Sequence, residues 1–69
     1  MRLKELREDS DITQKYRAEL LHIKQNTYSQ YENGQRRVPI EALITLAQYY
    51  ETTLDYLVGL SDIKNLYET

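Results

Sequence analysis

The chain contains no cysteine, no tryptophan and no phenylalanine, and only two glycines, one proline and one histidine in 69 residues. Without cysteine there are no disulfides and no thiolate metal sites, which fits a reducing compartment. His22 stands alone, so a metal centre or a histidine-based catalytic pair has no partner. The scattered Asp and Glu show no pairing suited to acid–base work beyond what helix surfaces ordinarily carry. These absences predict no enzyme activity, no cofactor and no metal. The scarcity of Gly and Pro leaves little room for disordered linker. No apolar run approaches the ~20 residues of a membrane span, and Met1-Arg2-Leu3-Lys4 leads into no signal-peptide core. A soluble, cytoplasmic chain with no membrane partner is expected.

What is present suits one small helical domain. A chain this short has room for a single thin core, so a compact bundle or a dimer is the expected way to stay folded. The seven tyrosines are the whole aromatic complement and read mainly as core or interface material. The formal net charge of −2 argues at first against a nucleic-acid partner, but it is unevenly spread. Residues 1–38 hold eight Lys/Arg against six Asp/Glu, or +2, whereas 39–69 hold one Lys against five acids, or −4. Within 12–38 the balance is +3, from Lys15, Arg17, Lys24, Arg36 and Arg37 against Glu19 and Glu32.

That basic segment contains the stretch around which the chain is organised, residues 13–34, TQKYRAELLHIKQNTYSQYENG. It reads as two short helices joined by a tight bend. Ala18 lets the helices cross closely, Ile23 plugs the core just past the bend, and Tyr28 and Tyr31, three apart, face inward. Gln25, Asn26, Ser29 and Gln30 point away from that tyrosine stripe. Long amides on an exposed helix face are what reading base edges in a major groove requires. Ordinary helix surface is the bland alternative, and three amides on one face favour base contact. Lys24, Arg36 and Arg37 are either a solvated charge run or phosphate contacts, and their proximity to the motif favours phosphate. Thr27 and Ser29 touch sugar or phosphate, or stand by.

Around the motif, Leu3 and Leu6 predict an amphipathic first helix over 1–9, ended by Asp9-Ser10-Asp11. Thr13 caps a second helix to about 21, and a third runs over 24–32 to the Asn33-Gly34 cap. Pro39 suits the first turn of a fourth helix over 39–50, with Leu43, Leu46, Ala47 and Tyr50 at i, i+3, i+4, i+7. Thr53 caps a short fifth helix over 53–58, ended by Gly59. The expected layout is a domain over 1–59 and a tail over 60–69, with a further turn or a dimer contact there and Leu66 and Tyr67 seeking a surface. There is no repeat and no strand alternation.

The run I-T-Q-x3-A-x2-L-x-I-x4-Y-x2-Y-E-N-G, from Ile12 to Gly34, resembles the Cro/lambda-repressor type of helix-turn-helix regulator, the xenobiotic-response-element family. The likeness begins at Met1-Arg2-Leu3-Lys4-Glu5-Leu6-Arg7 and continues through Pro39-Ile40-Glu41-Ala42-Leu43 to Leu54-Asp55-Tyr56-Leu57-Val58-Gly59. It implies an all-α, compact five-helix lambda-repressor-like fold with helices two and three as the motif. It also implies that Gln14 meets a DNA phosphate, that the Asn33 turn offers backbone groups to phosphate, and that Arg7 and Glu32 form a partly buried structural ion pair. Three positions depart from the family pattern. His22 stands where the bend's left-handed backbone usually calls for Gly. Arg17 replaces an apolar residue, with Tyr16 and Leu20 expected to take over its packing while Arg17 reaches outward toward phosphate. Thr52 replaces an aliphatic one.

The expected function is sequence-specific binding of a double-stranded DNA operator, as a repressor that occludes a promoter. The partner would be a second copy of the chain, at least on DNA, paired through Leu54, Tyr56, Leu57 and Leu60. No sensor segment is apparent, so a signal would act through a partner, proteolysis or concentration. The alternative keeps the fold and makes the chain an antitoxin or anti-repressor whose acidic C-terminal part binds a protein.

Overall fold

The computed structural model describes residues 1–64, so the expectation placed on Leu66 and Tyr67 lies outside the described residues. In chain order the helices are α1 (Leu3–Asp9), α2 (Gln14–Leu20), α3 (Gln25–Glu32), α4 (Ile40–Tyr49) and α5 (Leu54–Val58). None of them is long and apolar enough to cross a membrane. They fall into two compact units: residues 3–38, which hold α1 to α3, and residues 1–2 together with 39 onward, which hold α4 and α5.

Three helix starts use the polar or proline residues that the sequence offers. The Thr13 hydroxyl accepts from the Tyr16 amide at 3.1 Å and the Thr53 hydroxyl from the Tyr56 amide at 3.0 Å, each satisfying an amide of the first turn that has no intrahelical partner. Pro39 sits one position earlier than expected. Its ψ of 150° is extended, so it is the N-cap of α4 rather than its first helical residue. Lys24 likewise precedes α3, with ψ 148°.

All five helices end in one way, by a residue in the left-handed region paired with two backward hydrogen bonds. At the end of α2, the Ile23 amide donates to the Ala18 carbonyl at 3.0 Å and the His22 amide to that of Glu19 at 3.1 Å, with His22 at φ 57°. The same pair of bonds closes α1 with Asp11 at φ 55°, α3 with Gly34 at 74°, α4 with Glu51 at 53° and α5 with Gly59 at 91°. Among the described residues, a chain with two glycines therefore supplies five left-handed positions by placing Asp, His and Glu at the other three.

Buried in the first unit are Leu3, Leu6, Ala18, Tyr28 and Tyr31, together with Arg17 at 0% exposure. The outward course expected of Arg17 is corrected: it follows Tyr16 on α2 but shares the inward face with Ala18, whereas Tyr16 is 59% exposed. Ile23 is half-buried rather than a core plug. In the second unit Leu46, Ala47, Thr52 and Leu57 are buried. The Thr52 hydroxyl donates to the Lys64 carbonyl at 2.5 Å, which satisfies a polar group where an aliphatic residue was expected. Arg2 binds the end of α5. Its guanidinium lies 4.3 Å from the centre of the Tyr56 ring, and its Nε donates to the Tyr56 carbonyl at 2.9 Å.

Candidate nucleic-acid interface

Helices α2 and α3 and the His22 bend between them form the candidate site. The bend needs a left-handed residue because the two backward bonds on Ala18 and Glu19 reverse the chain within three residues. His22 is exposed, so its imidazole pays for that conformation without any packing to compensate.

The orientation of α3 is set by its buried edge. Tyr28 and Tyr31 are 0% and 8% exposed, and the outer side carries Gln25 and Asn26, both exposed, with Ser29 and Gln30 half-exposed, while Thr27, one turn before Tyr31, is half-buried at the flank of the tyrosine edge. Lys24 stands exposed at the start of the helix, and Asn33, Arg36 and Arg37 are exposed at and beyond its end. Every residue expected to face DNA except Gln14 and Arg17, both on α2, therefore lies on one helix or its flanking turns.

Glu32, the last residue of α3, ties the three helices of this unit together. Arg7 of α1 donates to its carboxylate from Nε at 2.6 Å and from Nη2 at 3.2 Å, with Nη1 on the Ile12 carbonyl at 2.8 Å. Gln14 of α2 donates from Nε2 to the same carboxylate at 3.1 Å. The Glu32 side chain is only 1% exposed, and that of Arg7 is 12% exposed. Burial alone would push the Glu32 carboxyl up. Hydrogen bonds from Arg7, Gln14 and Tyr28, with the Arg7 charge, outweigh it and hold the group below its ordinary value. The Arg7 guanidinium is correspondingly raised, chiefly by its bond to Glu32. The ion pair expected between Arg7 and Glu32 is thus formed. Gln14, expected on a phosphate, spends one amide N–H on Glu32 and keeps the other.

One contact was not legible in the sequence. Arg36 Nε donates to Gln30 Oε1 at 2.9 Å. Six residues is not a helical spacing. The pair forms because the chain turns back at Gly34, where the Gln35 amide donates to the Gln30 carbonyl at 2.9 Å. The pairing residues expected on α5 divide. Leu60 is 80% and Leu54 37% exposed, and Tyr56 is half-buried beneath Arg2. Leu57 is 0% exposed, so its side chain packs inside and is removed from the surface assigned to it. Beside Leu54 lies a mainly apolar groove of about 380 Å³, lined by Ile44, Ala47, Gln48, Thr52, Thr53 and Asp55 as well.

The helix-turn-helix family model matches residues 3–57, most of the chain and all five helices but the last residue of α5. The chain belongs to the helix-turn-helix family. It is similar to the HTH-type transcriptional regulator AnsR of Bacillus subtilis (strain 168), with 47% identity over 58 residues, covering 84% of this chain and 50% of that protein. It is also similar to the HTH-type transcriptional regulator ImmR of the same organism, with 38% identity over 68 residues, covering 99% of this chain and 54% of that protein. An uncharacterized HTH-type transcriptional regulator, YobD, again of Bacillus subtilis (strain 168), is 34% identical over 61 residues, or 88% of this chain and 54% of that protein. The chain spans about half the length of these curated relatives. No solved structure matches. The helix-turn-helix type is the Cro/lambda-repressor one, a family of DNA-binding transcription regulators and not of enzymes.

Proposed function

We propose that this helix-turn-helix chain regulates transcription by binding a double-stranded DNA operator, with α3 in the major groove, and that it represses by occluding a promoter. The observation that carries this reading is the outward face of α3. Its first two residues, Gln25 and Asn26, are exposed amides at the N-terminal end of the helix, and the tyrosine edge opposite them is buried. Each amide offers a donor and an acceptor together, the pattern that meets adenine N6 and N7.

Lys24, Arg36 and Arg37, with the remaining N–H of Gln14, supply phosphate contacts, joined by the Asn33 turn and by Thr27 and Ser29. These fix register and carry no sequence information. One motif offers too few base contacts to select a site in a genome, so two copies bind a two-fold symmetric operator. Leu54 and Leu60, exposed on and after α5, with the half-buried Tyr56, form the pairing surface.

The test is binding to a selected site and to a scrambled one over a salt series. Gln25→Ala and Asn26→Ala should each cost ~1–3 kcal/mol on the selected site and little on scrambled DNA. Arg37→Ala should weaken both alike and flatten the salt slope by about one unit. Equal losses on both sites for Gln25→Ala and Asn26→Ala would show that the reading face is misassigned. Absence of DNA retention even at low salt would favour a protein-binding module on the same fold.

A further inference from the structure

The Arg36–Gln30 contact changes what Gln30 is able to read. A free glutamine amide has two hydrogen-bonding ends, a carbonyl oxygen that accepts and an NH2 that donates, and this duality suits adenine. In this chain the accepting end is turned toward Arg36, whose Nε donates to Gln30 Oε1 at 2.9 Å and takes one of that oxygen's two lone pairs. Both partners are anchored. The backbone carbonyl of Gln30 accepts from Gln35 at 2.9 Å, and the Gly34 amide donates to the Tyr31 carbonyl at 3.3 Å, so the turn that returns Arg36 to the helix is closed by two bonds. Gly34 permits that return with φ 74°. Gln30 also lies one helical turn after Asn26, on the same face.

We propose that Arg36 is a positioning residue that sets the base preference of Gln30: by holding Oε1 it turns the amide so that its NH2 leads into the groove, and this position of the operator is read as a keto base, guanine or thymine, in preference to adenine. In the major groove guanine presents O6 and N7 and thymine O4, all acceptors, whereas adenine presents an amino group beside N7 and cytosine an amino group, and an amide whose oxygen is turned toward Arg36 aims its donors rather than its acceptor at the base. The Nη groups of Arg36 are donors as well and add no acceptor for an amino base. The inference rests on the DNA-reading role proposed for α3 and assigns Arg36 a part in specificity beyond phosphate contact.

The experiment selects sites from random double-stranded DNA with the wild-type chain and with Arg36→Lys, Arg36→Ala and Gln30→Ala. Lysine keeps the charge but has no Nε–H at the place that meets Oε1. The wild type should show one position per half-site where a keto base is preferred roughly tenfold over adenine. In Arg36→Lys and Arg36→Ala that position should lose its preference or move toward adenine while all others stay the same. Arg36→Lys should keep wild-type binding to scrambled DNA and its salt slope, a combination that loss of a phosphate contact does not produce. Unchanged preferences in both Arg36 variants, or adenine at that position in the wild type, would overturn the inference and leave the DNA-binding role standing. Selection that enriches no sequence with any of the four chains would instead overturn that role. The pair is read independently in the free protein by exchange of the Arg36 Nε–H with water, which should be slower in the wild type than in Gln30→Ala. Equal exchange rates would overturn the pairing itself, with or without DNA.

Discussion

Glu32 joins donors from two other helices at a single buried carboxylate. Its carboxylate is shielded from water and receives donors from Arg7 and Gln14, so removing one partner strands a charge. Arg7→Ala should therefore cost ~3–5 kcal/mol of stability, and the Arg7→Ala/Glu32→Ala double variant less than the sum of the two single ones, as thermal or denaturant unfolding will report. The same group gives the chain an acid limit. Its carboxyl is held below the ordinary 4.5, so its contribution is complete above that pH and is lost as pH falls through the lower folded value. Glu32→Gln should flatten the decline of stability below about pH 4.5; a decline identical to the wild type would place the acid sensitivity elsewhere. Arg17 makes a contrasting case. Buried at 0% exposure, it has no route to a phosphate, so Arg17→Met should leave the salt slope of DNA binding unchanged. A slope reduced by one unit would return Arg17 to the surface. The pattern of the sequence revealed the Arg7–Glu32 pair through a family likeness, but it could not reveal that Arg17 turns inward. A helical arginine flanked by Tyr16 and Ala18 looks amphipathic in either direction, and only packing chooses.

At the scale of the elements, local chemistry was the most legible part of the chain. Thr13 and Thr53 announce two starts, and Gly34 and Gly59 announce two ends. The stops at Asp11 and Glu51 were harder to read as left-handed, because neither residue type requires that conformation and only the backward bonds impose it. They are also where the helices carry strain. Glu51 is exposed, so Glu51→Gly removes no packing and relieves a side chain from a region that costs L-residues about 1 kcal/mol. The midpoint of thermal unfolding should rise. A fall would mean that the entropy glycine adds to the unfolded chain exceeds the relief. The Gln30–Arg36 contact was illegible for a related reason: it depends on the turn at Gly34, and six-residue spacing carries no signal until that turn is built.

On the scale of the whole molecule, the net basic charge and the exposed leucines lie in different halves of the sequence. Residues 1–38 carry +2 and hold α3, whereas 39–69 carry −4 and hold the exposed Leu54 and Leu60. An acidic half is a poor neighbour for phosphate, and its exposed Leu54 and Leu60 belong to the pairing surface proposed above. Two copies on a two-fold symmetric operator would read half-sites ~34–36 Å apart centre to centre. Footprinting at saturation should then show two related half-sites about one helical turn apart. Leu54→Glu, which adds a charge to a side chain 37% exposed, should reduce occupancy of the full site while a single half-site binds as before. Tyr56→Ala would be a poorer probe, since it also removes the ring on which Arg2 rests. Leu57→Ala is poorer still, because Leu57 is wholly buried and its loss would cost ~2–5 kcal/mol of folding stability whether or not the chain pairs. If Leu54→Glu binds full and half sites with unchanged affinity, α5 is not the pairing surface; if footprints show a lone asymmetric half-site in the wild type, the chain does not pair on DNA at all.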